Sequence, residues 1–124
     1  MQIKKPMAAG IVFAALLMFK TSHAETPDRG RQLFENRCSG CHALDNERQG
    51  PRLRGVYGRN AGAVPSFTYS SALKASRITW DATSLDKWLA DPEKLVPDND
   101  MAFRMVNADD RAAVIAFLQS LPAK

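Results

Sequence analysis

Two cysteines with a histidine directly after the second occur once in the chain, as Cys38-Ser39-Gly40-Cys41-His42. Thiols so spaced can each form a thioether to a haem vinyl group, and the adjacent imidazole then lies within reach of the iron. The spacing predicts one covalently attached haem c, whose chemistry the protein would tune. A thioredoxin-like redox pair expects a βαβ context, and no run of β-branched residues after His42 supplies parallel strands. A zinc site needs about four ligands. Only Cys38, Cys41 and His42 cluster, because the second histidine, His23, lies in an expected leader. A structural disulfide gives His42 no role.

Haem iron held by histidine on one side takes its character from the ligand on the other. Met1, Met7 and Met18 fall in the expected leader, which leaves Met101 and Met105. His42 is then the sole histidine, so two histidines from one chain cannot hold the iron. Met101 sits in Pro97-Asp98-Asn99-Asp100-Met101-Ala102-Phe103, a segment after a proline that can project a thioether. Met101 is the expected ligand. Met105, nearer the last helix, and an open site are the alternatives. A thioether favours ferrous iron, and Met/His ligation raises the reduction potential. With both axial positions filled, oxygen and peroxide are kept from the metal, which argues for outer-sphere electron transfer over catalysis.

The N-terminus reads as a secretory signal peptide over residues 1–24. Lys4 and Lys5 precede an apolar or small-residue run from Met7 to Phe19, and Ser22-His23-Ala24 offers small residues for cleavage before Glu25. The run is short for a membrane span, which needs about 20 residues, so an uncleaved anchor is the lesser reading. The full chain carries 17 basic and 13 acidic side chains. Residues 1–24 hold Lys4, Lys5 and Lys20 and no acid, so residues 25–124 carry 14 against 13, a net +1. Haem carboxylates bring this nearer neutral. The basic balance is partly a property of the leader and gives no argument for nucleic acid or an anionic membrane. The expected location is the periplasm, where a bare CxxC would tend to oxidise.

Residues 25–124 suffice for one domain, and four helices are predicted in it. The first runs from Pro27 to Arg37, with Thr26 as N-cap and Pro27 at the first helical position. A short one covers Ser71 to Ala75. A third starts near Ser84, where Thr83-Ser84-Leu85-Asp86 resembles a capping box, and ends before Pro92 with Leu85, Trp88 and Leu89 on one face. The last runs from Ala108 to Leu121, capped by Asn107, with Val114, Phe117, Leu118 and Leu121 at helical spacing. Between them lie Gly/Pro-punctuated segments, 50–67 and 92–107, that are long for so small a domain. A chain of this length has a limited core, and loops wrapped around a porphyrin would supply the missing apolar contact.

With these elements placed, residues 25–124 resemble a class I cytochrome c, of the subgroup holding mitochondrial cytochrome c and its small soluble bacterial relatives. The resemblance rests on Gly30, Phe34 and the CSGCH at 38–42. It continues through Gly50-Pro51-Arg52-Leu53-Arg54-Gly55-Val56-Tyr57-Gly58-Arg59, Phe67-Thr68-Tyr69-Ser70, Ile78-Thr79-Trp80, Met101-Ala102-Phe103 and Ile115-Ala116-Phe117-Leu118. It implies an all-α fold of several short helices and long loops around one haem. It also implies roles for single residues. Pro51 offers its carbonyl to the free N–H of His42. Arg59, Tyr69 and Trp80 surround a buried haem propionate, which must be paired or hydrogen-bonded. Gly30 lets the first helix pack on the last, with Phe34 wedged beside it.

Three features depart from the pattern. The segment from His42 to Pro51 is shorter than in mitochondrial relatives. Trp88 stands where a tyrosine is expected near the methionine ligand, and Leu73 where an asparagine is common. Both changes are expected to leave the methionine side drier, with fewer polar contacts. Around the haem edge Glu93 and Asp100 accompany Arg37, Arg48 and Arg52, which predicts a mixed docking face with modest electrostatic steering.

The chain is therefore expected to be a monomeric, exported, single-haem electron carrier of a respiratory type, not an enzyme. It would dock transiently with donor and acceptor redox proteins. A dedicated subunit of a dehydrogenase or oxidase complex, and a haem enzyme or sensor with an open site, are the other readings.

Overall fold

The computed structural model describes residues 2–5, 10 and 27–124. The expected leader, apart from 2–5 and 10, lies outside the described residues, as does the Thr26 cap. The described residues form five helices: α1 (Pro27–Arg37), α2 (Ser71–Ala75), α3 (Ala82–Ala90), α4 (Pro92–Leu95) and α5 (Ala108–Gln119). They contain no β-strand beyond one isolated bridge between Asn60 and Thr79. The all-α expectation holds.

α1 and α5 cross closely, and Gly30 permits it. A Cβ there would collide with the Ala113 carbonyl oxygen and stand 2.6 Å from Phe117 Cβ. Phe34 meets Phe117 with ring centroids 5.6 Å apart. The crossing is pinned at its edge by Arg29 and Asp110, 2.6 Å apart.

α3 begins two residues before its expected start. Asp81, not Thr83, is its cap: the Asp81 carboxylate accepts from the Ser84 amide, and the Ser84 hydroxyl accepts from the Asp81 amide, both at 2.8 Å. A carboxylate performs there the role the sequence reading gave to a hydroxyl. α4 lies inside the segment expected to be loop. Asp91 closes α3 and then caps α4 through the Lys94 amide, with Pro92 at the first turn. Proline's fixed φ suits that position.

The core gathers Phe34, Trp80, Leu85, Trp88, Leu89, Met105, Val114, Ile115, Phe117 and Leu118. All come from α1, α3, α5 and the segments beside them. These elements form one wall of a cavity, and the long segments 42–70 and 96–107 close around it.

Candidate functional site

Cys38, Cys41 and His42 lie on a single helical turn that continues α1. The Cys41 and His42 amides both donate to the Cys38 carbonyl, at 3.1 and 2.9 Å. One turn therefore delivers two thiols and an imidazole to the same cavity, whose volume is about 350 Å³. Burial pushes the Cys38 thiol up to about 11, against the pull of Arg37. Cys41 is exposed at the rim.

His42 is mostly buried. Its Nδ1 donates to the Pro51 carbonyl at 2.8 Å, a tautomer set by that acceptor. Nε2 is then the nitrogen left with a lone pair. Burial lowers the imidazole's pKa, and the Pro51 bond opposes this only in part, so the ring is neutral at pH 7. Pro51 is held in place by a tight loop. Gly50 N donates to Cys41 O at 2.8 Å, Leu53 N to Ala43 O at 3.0 Å and Arg54 N to Leu44 O at 2.9 Å.

Arg59 lines the cavity with its guanidinium held by two carbonyls, Arg52 O at 2.8 Å and Arg54 O at 2.6 Å. No carboxylate forms an ion pair with it among the described residues. Desolvation lowers its pKa. The Tyr69 hydroxyl accepts from the Val64 amide at 3.2 Å, which leaves its own proton to give. Trp80 is paired to Arg59 through the backbone, its amide donating to Arg59 O at 2.9 Å. This corner offers a cation and donors to an anion that the chain itself does not supply.

The two candidate methionines separate. Met101 lines the cavity, whereas Met105 is 1 % exposed in the core and donates its amide to Leu89 O at 2.8 Å. Met101's backbone is set by Asn99, whose Oδ1 accepts from the Met101 amide at 2.7 Å and whose Nδ2 donates to Val96 O at 2.9 Å. The expected drier methionine side needs correction. Leu73 is apolar at the cavity wall, but the Trp88 indole Nε1 donates to the Met101 sulfur at 3.1 Å. The indole ring carries its own donor, so the tryptophan in place of the expected tyrosine leaves the sulfur with a polar contact.

Cys38, Cys41, His42, Pro51, Arg59, Tyr69, Trp80 and Met101 thus line one cavity. Its walls are mainly apolar and aromatic, its cation faces inward, and a neutral imidazole and a thioether reach it from distant parts of the chain. These donors fit an iron porphyrin with carboxylate side arms: soft sulfur and imidazole nitrogen for iron, apolar walls for the ring, and Arg59 for a carboxylate. At the rim the Arg37 guanidinium lies 5.6 Å from the Phe103 ring centroid, and Asp100 borders the same opening.

No local sequence signal assigns functions to Gly50, Asn99 or the Trp88 N–H. Trp88's helical spacing marked it as inward-facing, but its acceptor lies thirteen positions on, across a loop of undetermined path.

The family model described as cytochrome c matches residues 27–122. Cytochrome c from Euglena viridis is 43% identical over 97 residues, covering 76% of this chain and 95% of that protein. Cytochrome c2 from Rhodomicrobium vannielii is 40% identical over 119 residues, covering 92% of this chain and 94% of that one. The solved structure of cytochrome cH from Methylobacterium extorquens superposes with a TM-score of 0.72 at 36% identity, over 76% of this chain and 97% of its own.

Proposed function

The chain belongs to the class I cytochrome c family of electron carriers, which are not enzymes, and from that premise we propose an exported carrier whose haem iron takes His42 and Met101. The family implies a covalently bound haem, and Cys38 and Cys41 are the residues that would hold it. The observation that carries the reading is the convergence of both thiols, the imidazole and the Met101 thioether on one apolar cavity.

Bound there, the haem supplies an iron that changes between ferric and ferrous by one electron. Every other task falls to the chain. Pro51 fixes the His42 ring and keeps a proton on Nδ1, so that Nε2 presents its lone pair. Asn99 fixes the backbone that carries the Met101 thioether. Arg59, Tyr69 and Trp80 would take a carboxylate side arm, which must be paired when buried. Phe34, Trp80, Leu85, Trp88 and Leu118 exclude water. Phe103, Arg37 and Cys41 border the opening, where a partner protein would dock transiently.

A leader over 1–24 and a working domain over 25–124 would put the carrier in the periplasm, where it would pass electrons between larger redox proteins. Among the described residues no helix is long and apolar enough to cross a membrane. Purified periplasmic material should start at Glu25, have the mass of residues 25–124 plus one haem, and keep its colour in the polypeptide after acidified organic extraction. Colourless protein, or pigment that extracts, would contradict the proposal.

A further inference from the structure

The segment that carries Met101 runs from α4 to α5 without regular structure, so its position depends on a few local contacts. An open hollow of about 420 Å³ lies along its outer side, lined by Glu93, Asn99, Met101 and Arg104. Packing therefore does not hold that side. The contacts that do come from α4. Glu93 Oε1 accepts from the Asp98 amide at 3.0 Å, and Oε2 accepts more weakly from Asn99 Nδ2 at 3.4 Å. Asn99 in turn accepts from the Met101 amide at 2.7 Å. Asp98 stands at φ +64°, so the turn that aims the methionine passes through a conformation most side chains avoid. Asp91 ties the far end of the segment by pairing with Arg104 at 3.1 Å. The Arg104 side chain is 61 % exposed, and an ion pair so placed contributes little. Glu93 makes the charge-assisted bond to the turn itself.

We propose that Glu93 is a positioning residue for the iron centre, its carboxylate holding the Asp98–Asn99 turn so that the Met101 thioether stays on the metal and foreign ligands stay off. This rests on the His42/Met101 reading above. The route runs from the carboxylate to the turn, from the turn to the Asn99 side chain, and from Asn99 to the Met101 amide. Without the acceptor the turn opens more often and the sulfur leaves with it. A small ligand from solvent then reaches the vacated position. A neutral amide of the same length keeps an acceptor for the Asp98 N–H and loses only the charge; a methyl group loses both.

The test adds cyanide to the ferric holoprotein, where it binds only once the thioether has left. Glu93→Ala should admit cyanide about tenfold faster than the parent, the effect of one lost hydrogen bond to a charged group at about 1.4 kcal/mol. Glu93→Gln should lie nearer the parent. A Gln variant as fast as the Ala variant would show that the acceptor is not what counts, and overturns the proposal. An Ala variant no faster than a parent that shows the weak sulfur-to-iron charge-transfer band overturns it alone. A parent without the band overturns it together with the ligand assignment. The entry rate should rise only shallowly with denaturant, the mark of local opening. A rise as steep as that of global unfolding would show that Glu93 stabilises the fold and does not position the ligand. In the parent the Asp98 amide should also exchange slowly with deuterated solvent. Immediate exchange contradicts the proposal even if neither variant folds.

Discussion

Gly50 passes so close to the His42 ring that no side chain fits between them: a Cβ there would stand 2.6 Å from Nδ1 and collide with Cε1. The next residue supplies the carbonyl that holds the same ring. Closeness and hydrogen bond are one feature, since the chain must run against the imidazole for Pro51 O to reach Nδ1.

Gly50→Ala should therefore displace the ring or the loop. Loss of the Pro51 bond should weaken iron ligation, read as an altered ferric spectrum. Gly30→Ala is the contrast. It collides with the Ala113 carbonyl at the α1–α5 crossing and should cost about 1–3 kcal/mol of stability, read by denaturant unfolding, with the spectrum of the surviving fold intact.

Asn99 sets the backbone of Met101 through two hydrogen bonds. Asn99→Ala should cost about 1–2 kcal/mol, concentrated in the loop. On heating, the sulfur-to-iron band should vanish well before helical circular dichroism is lost. Coincident loss of both signals would show that Asn99 has no local role.

Among the described residues, two other than glycine adopt the left-handed region, Arg77 at φ +55° and Asp98 at φ +64°. Arg77 follows the α2 C-cap Ser76, a position that favours glycine. Arg77→Gly should raise stability by about 0.5–1 kcal/mol, and Asp98→Gly by less, because aspartate tolerates this conformation better. Melting temperature is the measurement, and a fall in both would contradict the assignment.

Asp45 is held at about 2, first by its hydrogen bond to the Arg54 guanidinium, which outweighs desolvation, and more weakly by Lys124. Its folded value lies below the unfolded one of about 3.9. The stability it contributes is present above about pH 4 and disappears as pH falls toward 2. Asp45→Asn should melt below the parent at pH 5–7, with the pH-dependent part of the gap closing by about pH 2. A constant gap across that range would contradict the linkage.

The opening carries both signs of charge, Arg37 beside Phe103 and Asp100 beside Met101. Electron transfer with a charged partner should respond only shallowly to ionic strength. A steep fall in rate with salt would show one dominant charge at the interface.

Much of this architecture is legible in local signals. Pro27, Asn107 and the 3.6-residue spacing of Val114, Phe117 and Leu118 mark helices because caps and amphipathic faces are short-range properties. α4 is not legible, since four residues around Pro92 show no period, and one aspartate serving two helices looks like a break. The cysteine–histidine turn announces its chemistry within five residues. The partners of Trp88, Asn99 and Gly50 depend on how distant segments fold over the cavity, and no spacing along the chain encodes those distances.

The ferric spectrum of the purified holoprotein, recorded beside Met101→Ala and Met105→Leu, tests the central claim most directly. Met105→Leu nearly conserves volume in the core, at less than about 1.5 kcal/mol. The sulfur-to-iron band should be present in the parent, survive Met105→Leu and disappear in Met101→Ala. A band absent from the parent, or kept by Met101→Ala, would contradict an electron carrier whose iron is held between His42 and Met101.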